Sequence, residues 1–213
     1  MSQASLFGDN SDVEPSFEVF TLPDAQLRYC EHYYDRTVAD QLFDRLRQEV
    51  AWQQHSIRIA GIVRAQPRLS AWYGDKDAQY SYSGLQLQPI PWTATLDELR
   101  QQVEKSCNTR FNSVLLNLYR DQQDSMGWHA DDEKELGPCP TIASLSFGAT
   151  RDFLIKHKID TQLKRKIALA HGSLLVMEGE MQSHWLHAIA KQKDLIGPRL
   201  NLTFRQIYSS NRS

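Results

Sequence analysis

A chain of 213 residues, 41% hydrophobic and 23% charged, has the composition of a globular protein and the length of one domain. A formal net charge of −2 and a pI near 6.4 give no global attraction to phosphate, and no apolar run approaches the ~20 residues of a membrane helix, so no membrane role is expected. Cys30, Cys107 and Cys139 are odd in number and lack a Cys-x-x-Cys spacing, which reads as free packing thiols in a reducing compartment.

Residues 1–15 are polar and without periodicity, and are expected to form a flexible tail. They carry neither the basic start nor the apolar core of a secretory signal, so secretion is not expected. Val38, Leu42, Phe43, Leu46 and Val50 recur at helical spacing behind a Thr37 cap. Arg58, Arg64 and Arg68 follow, and Lys156-His157-Lys158 and Lys164-Arg165-Lys166 lie downstream. Each is a candidate basic face for a polyanion, although a solvated loop is the commoner fate of such a cluster.

Leu96, Leu99, Val103 and Cys107 mark a second amphipathic helix, with Thr95-Leu-Asp-Glu98 as a capping box. From Phe111 onward the period changes to two, and strands are expected at 112–119, 141–147, 152–156, 173–177 and 199–206. Two helices and this density of short strands predict a mainly β, α+β fold: a small sandwich or jelly roll with the helices outside.

Alternation assigns faces. Arg199, Asn201, Thr203 and Arg205 share one side of the last strand and Leu200, Leu202 and Phe204 the other. A polar edge strand is the bland account, but a solvent face usually mixes charge signs, and this one has two arginines and no carboxylate. In Val114-Leu-Leu-Asn-Leu-Tyr119, Asn117 and Tyr119 share a face and can meet those arginines in one cavity. Paired guanidinium hydrogen bonds completed by a phenol and an amide suit a small dicarboxylate.

His129-Ala-Asp131 is the sole His-x-Asp, although seven histidines and 26 acids yield about one His-x-Asp or His-x-Glu by chance. A downstream histidine would complete a facial triad with open positions for cosubstrate and oxygen. His184 and His187 are both candidates, and either fits a packed core histidine equally well; His157 and His171 are weaker. The order of the parts is more telling than any one of them: Asn-x-Tyr strand, His-x-Asp, His, two-arginine strand.

These residues resemble the AlkB-type family of oxidative nucleic-acid demethylases, most closely its animal DNA-repair members. The likeness runs from about Pro67 to Ile207. It is carried by Pro67-Arg68, Trp72-Tyr73-Gly74-Asp75, Tyr80-Ser-Tyr-Ser-Gly84, Asn117-Leu-Tyr119, Trp128-His-Ala-Asp-Asp-Glu133, Ala143-Ser-Leu-Ser-Phe-Gly148, His184-Trp-Leu-His187 and Pro198-Arg-Leu-Asn-Leu-Thr-Phe-Arg205. The resemblance implies a double-stranded β-helix over about 111–208, a base-recognition segment over about 55–92, and one domain spanning 16–213.

It further implies iron(II) on His129, Asp131 and His187, with His184 a neighbour. 2-Oxoglutarate is implied on Arg199, Tyr119 and Asn201, with Thr203 beside them and Asn117 and Arg205 toward the metal end. Oxygen is the second cosubstrate; succinate, carbon dioxide and formaldehyde are the implied products. Arg68, Tyr80, Tyr82, Ser83, His129 and Glu133 are the implied substrate contacts.

Bases alkylated at nitrogen, such as 1-methyladenine and 3-methylcytosine, are cationic and suit aromatic faces beside carboxylates. The expected partner is alkylated DNA, with RNA the alternative, acted on by a monomer in a bacterial cytoplasm or a eukaryotic nucleus. Where relatives that work on duplexes carry a bulky wedge, Ile59-Ala-Gly61 stands here, so either Ile59 or Ile62 substitutes or single strands are preferred. A protein hydroxylase of the same chemistry, a non-catalytic reader of alkylated nucleic acid and a cupin-type metal protein are the rivals.

Overall fold

The computed structural model describes residues 14–59, 62–78, 80–82 and 85–208, with the backbone alone at 57–59, 80–82 and 85–87. Residues 1–13 of the expected tail, and Ser83, lie outside it.

The chain opens with a hairpin, β1 (Glu18–Leu22) and β2 (Ala25–Cys30), then α1 (Arg36–Glu49). Five short strands follow: β3 (Ser56–Ile59), β4 (Ile62–Ala65), β5 (Leu69–Gly74), β6 (Tyr80–Tyr82) and β7 (Leu85–Leu87). After α2 (Ala94–Cys107) come β8 (Ser113–Tyr119), β9 (Met126–His129), β10 (Ile142–Gly148), β11 (Arg151–His157), β12 (Lys164–Leu169) and β13 (Ser173–Glu178). The one-turn α3 (Met181–His184), β14 (Trp185–Ile189) and β15 (Arg199–Arg205) close the chain.

Seven strands form an antiparallel sheet in the order β1-β2-β13-β10-β15-β8-β5, and four form a second, β12-β11-β14-β9. The expected alternation decides what each face touches. Val114, Leu116, Leu118, Leu200, Leu202 and Phe204 turn outward onto Leu42 and Leu46 of α1 and Leu96, Leu99 and Val103 of α2. Tyr119 turns inward, where Phe153, Ile155, Trp185 and Ile189 of the smaller sheet meet Ile142 and Leu175 of the larger. The result is the jelly roll the pattern predicts, with helices backing one sheet and a polar cleft between the two.

Several local expectations need correction. Asp35, not Thr37, caps α1, its carboxylate accepting from the Val38 N–H at 2.9 Å. Thr93 caps α2 through the Leu96 N–H at 3.2 Å, while Thr95 donates to Glu49 at 3.1 Å, so the capping-box assignment is two residues late. Strands begin at residue 18 rather than 111, and β5 and the β1–β2 hairpin flank the large sheet. Cys30 and Cys107 are buried packing thiols, but Cys139 is exposed. Among the described residues no helix is long and apolar enough to cross a membrane.

Gly148 ends β10 at φ +86°, and a Cβ there would meet the Pro198 carbonyl and come within 2.7 Å of the Phe43 ring. Gly148→Ala is therefore expected to cost on the order of 1–3 kcal/mol, measured as a lower midpoint in urea with an unchanged m-value. A change under a few tenths of a kcal/mol would contradict the strain.

Candidate active site

Strand register brings the predicted residues together. β15 lies between β8 and β10, with Arg199 opposite Tyr119 and Gly148, Asn201 opposite Asn117 and Ser146, and Thr203 opposite Leu115 and Ser144. In the smaller sheet His187 of β14 pairs with His129 of β9. Arg199, Asn201, Thr203, Arg205, Asn117, Tyr119, His129, Asp131 and His187 all line one cleft.

The ligand atoms of His129, Asp131 and His187 lie within 4.8 Å of one another. The His129 and His187 rings stand 4.1 Å apart between centroids. His129 Nδ1 is 2.8 Å from the Gly127 carbonyl, which can only accept, so Nδ1 carries a hydrogen and Nε2 is the ring atom left to ligate. Asp131 is held from two sides: its backbone N–H donates to Gln182 at 2.9 Å and its Oδ1 accepts from Arg205 Nη2 at 2.7 Å. Burial pushes the Asp131 carboxyl up, but Arg205, His187 and His129 outweigh it and hold it below the ordinary carboxylate value. Burial drives His187 down to about 4, so its imidazole is neutral at pH 7. Two imidazoles and a carboxylate are a donor set suited to a divalent transition metal.

These directions fix a pH effect on the metal-free protein. Between the unfolded histidine value of 6.5 and about 4, the unfolded chain binds a proton at His187 that the folded chain refuses, so acidification through that window lowers stability. Asp131 acts in the same sense only once the pH falls below the ordinary aspartate value. The apo-protein should therefore melt at progressively lower temperature from pH 6.5 to pH 4, and His187→Gln should flatten that slope; an equal slope in both would refute the assignment.

The other end of the cleft is cationic. Arg199 is 1% exposed, and its Nη2 donates to Ser146 Oγ at 2.9 Å while Nε and Nη1 have no protein partner. Burial, the largest cause, and Arg151 bring it down to about 10 against Tyr119, which raises it. No carboxylate ion-pairs with Arg199 among the described residues. A charged guanidinium with two orphaned donors in a buried site fits a carboxylate that arrives with a ligand. Asn201 and Thr203 are instead tied inward: Asn201 Nδ2 donates to Ser144 Oγ at 2.7 Å and the Leu145 carbonyl at 3.2 Å, and Thr203 donates to Asn201 Oδ1 at 3.1 Å. They set the floor of the cleft.

Other expectations are redistributed. Arg68 is buried rather than part of a surface patch or a base contact, donating to Asn117 Oδ1 at 2.8 Å and the Ser125 carbonyl at 3.4 Å. It fixes the Asn117 amide so that nitrogen is the donor left over. Glu133 is half-buried at the start of a 3-10 turn, outside the lining of the cleft. Tyr80 and Tyr82 pair with β7 through backbone, and their side chains, like those of Arg58 and Ile59, are outside the described residues. Ile62 and Arg64 are exposed, as are Lys164, Arg165 and Lys166. Lys156 Nζ sits 4.4 Å from the Trp128 ring centroid, and Lys158 pairs with Asp132 at 3.1 Å.

His184 ends α3 away from the cleft, 3.3 Å from Glu180 and stacked at 6.0 Å on His157. His184, His157 and Asp24 form a second cluster of ligand atoms, but His157 Nδ1 accepts the backbone N–H groups of Ile159 and Asp160 at 3.3 and 3.0 Å. Its Nε2 therefore carries the hydrogen and offers no lone pair. His171 is likewise engaged, accepting from the Gly148 N–H at 2.8 Å. Ser144, Ser146 and Arg151 were not anticipated, since only strand register reveals what two serines and the first residue of an apolar strand face.

Residues 26–205 match the family model of the 2OG-Fe(II) oxygenase superfamily. The chain is 42% identical over 212 residues to human "Alpha-ketoglutarate-dependent dioxygenase alkB homolog 3", covering 94% of this chain and 73% of that protein. It is 41% identical over 185 residues to human "DNA oxidative demethylase ALKBH2", covering 82% and 70%. "The structure of OsALKBH1" superposes with a TM-score of 0.64 at 16% identity, covering 88% of this chain and 100% of that one, a likeness of fold.

Proposed function

Since the chain belongs to the 2OG-Fe(II) oxygenase superfamily and to its AlkB-type members, we propose that it removes alkyl groups from base nitrogens, above all those of 1-methyladenine and 3-methylcytosine in DNA, at the cleft lined by His129, Asp131, His187 and Arg199. It is an iron(II)- and 2-oxoglutarate-dependent dioxygenase, an enzyme of oxidative DNA demethylation. The observation that carries the assignment of roles is the pairing, in one cleft, of a two-histidine, one-carboxylate cluster with a buried arginine that no carboxylate among the described residues ion-pairs.

His129, Asp131 and His187 hold the iron. Arg205 occupies Asp131 Oδ1 and so presents the other carboxylate oxygen to the metal. Arg199 takes the distal carboxylate of 2-oxoglutarate on Nε and Nη1, with Tyr119 beside it. Asn117, oriented by Arg68, donates toward the metal end, and Asn201 and Thr203 keep Ser144 in place below. Iron with 2-oxoglutarate supplies the activation of oxygen that oxidises the N-alkyl carbon, after which the hemiaminal breaks to formaldehyde and the free base.

A methylated cationic base reaches this site only out of its stack. The ring of His129 lines the cleft and stacks on the base, Tyr80, Tyr82 and Ser83 are its further proposed contacts, and Asp131 favours its charge. Exposed Arg64 and Lys164–Lys166, with Lys156 over Trp128, give the local basic surface that a net charge of −2 does not. A monomer acting in a bacterial cytoplasm or eukaryotic nucleus completes the reading.

The test is anaerobic loading with iron(II) and 2-oxoglutarate, then oxygen, with mass spectrometry of matched single- and double-stranded DNA and RNA carrying one defined lesion. Formaldehyde and succinate in equal amounts, with restored base on DNA, is the expected result. Succinate without formaldehyde from any methylated nucleic acid would favour a protein substrate and overturn the proposal.

A further inference from the structure

Arg151 opens β11 and is 1% exposed, yet no acidic side chain ion-pairs with it among the described residues. Its donors go to backbone carbonyls instead: Nη1 to Asp121 at 3.3 Å, Nη2 to Asp124 at 3.0 Å and to Ala190. Nε is buried without a partner. The carbonyls at 121 and 124 belong to the turn between Tyr119, which ends β8, and Met126, which opens the strand β9 that carries His129 at its far end; Ala190 follows β14, which carries His187. One guanidinium thus ties both sides of the cleft.

It also faces the diacid end. The Arg151 Cζ lies 5.7 Å from the centroid of the Tyr119 ring, and the Arg199 Cζ lies 5.3 Å from the same ring. Burial lowers the pKa of Arg151, with Tyr119, Asp124, Asp121 and Asp152 raising it, and Arg151 in turn lowers that of Arg199. A structural tie of three carbonyls does not need a charge. Asp121, Asp124 and Asp152 offset part of the Arg151 charge from outside the cleft, whereas beside the Tyr119 ring its guanidinium and that of Arg199 together present positive potential to an arriving carboxylate.

We propose that Arg151 is a positioning residue for 2-oxoglutarate, holding Tyr119 and the 120–125 turn and supplying the second positive charge that selects a ligand with a distal carboxylate. This rests on Arg199 being the carboxylate anchor. Neutralising it should weaken the cosubstrate about ten- to a hundredfold, the range found when outer partners of a site are removed.

The experiment is calorimetric titration of anaerobic protein, first with iron(II) and then with 2-oxoglutarate, for wild type, Arg151→Lys, Arg151→Gln and Arg199→Met. Both Arg151 substitutes are polar, so their difference isolates the charge. The expected result is a loss of 2-oxoglutarate affinity in Arg151→Gln, most of it recovered in Arg151→Lys, with iron(II) affinity unchanged in both. Equal losses in the two variants, no loss in either, or iron(II) affinity falling in step would overturn the proposal and leave Arg151 a structural tie. Arg199→Met binding 2-oxoglutarate as wild type does would instead overturn the anchor assignment beneath it.

Discussion

His187→Ala should bring turnover to background and strip the protein of iron(II), whereas His184→Ala should keep most of both. The two histidines are three residues apart, but one ends a single helical turn and the other sits in the strand that follows. His187 is 5% exposed, stacked at 5.3 Å on Phe153 and paired across the sheet with His129, so it cannot turn away from the cluster. His184 contacts Glu180 and His157 on the far side of β14. Removing an outer partner of a metal site costs 10–100-fold, and removing a ligand exceeds that, so the two variants should differ by more than about a hundredfold. Iron per chain after desalting and succinate formed per minute are the measurements. The reverse pattern would move the metal to the Asp24, His157 and His184 cluster.

That pair of histidines also marks the limit of what sequence shows. A period of two survives in buried strands, so the faces of Asn117, Tyr119, Arg199, Asn201, Thr203 and Arg205 were legible before any coordinates, and so was the two-helix, many-strand architecture. The position where a helical turn gives way to a strand between residues 184 and 185 leaves no signal in composition, so the residues by themselves leave His184 and His187 equal candidates and only the family resemblance points to His187. Of the smaller sheet β11 is expected at 152–156, but β9 and β12 are missed for a related reason: β9 is four residues long and β12 begins with three exposed basic residues, so neither shows an apolar alternation of useful length. Arg68 and Arg151 were misread or overlooked because a basic side chain is ordinarily solvated, and only tertiary contact shows a guanidinium spending its donors on a buried amide or on three carbonyls.

Arg199→Met should separate stability from function in opposite directions. In the apo-protein the wild-type guanidinium is buried, holds one hydrogen bond to Ser146 and leaves two donors unmatched, so an apolar side chain of similar length relieves a desolvation cost and the melting temperature should hold or rise. With cosubstrate the balance inverts, because the distal carboxylate would then be buried opposite methionine. Losing one partner of a buried charge pair costs on the order of 2–5 kcal/mol, roughly thirtyfold to several-thousandfold in 2-oxoglutarate affinity. Wild type at a hundredfold excess over Kd should gain about 2.7 kcal/mol, or about 5–10 °C for a chain of this size, and the variant at the same concentration about 1 kcal/mol or less. Thermal melts with iron(II), with and without 2-oxoglutarate, decide it. A variant that melts lower as apo-protein yet keeps the full 2-oxoglutarate shift would mean that Arg199 is a core strut and that the diacid binds elsewhere.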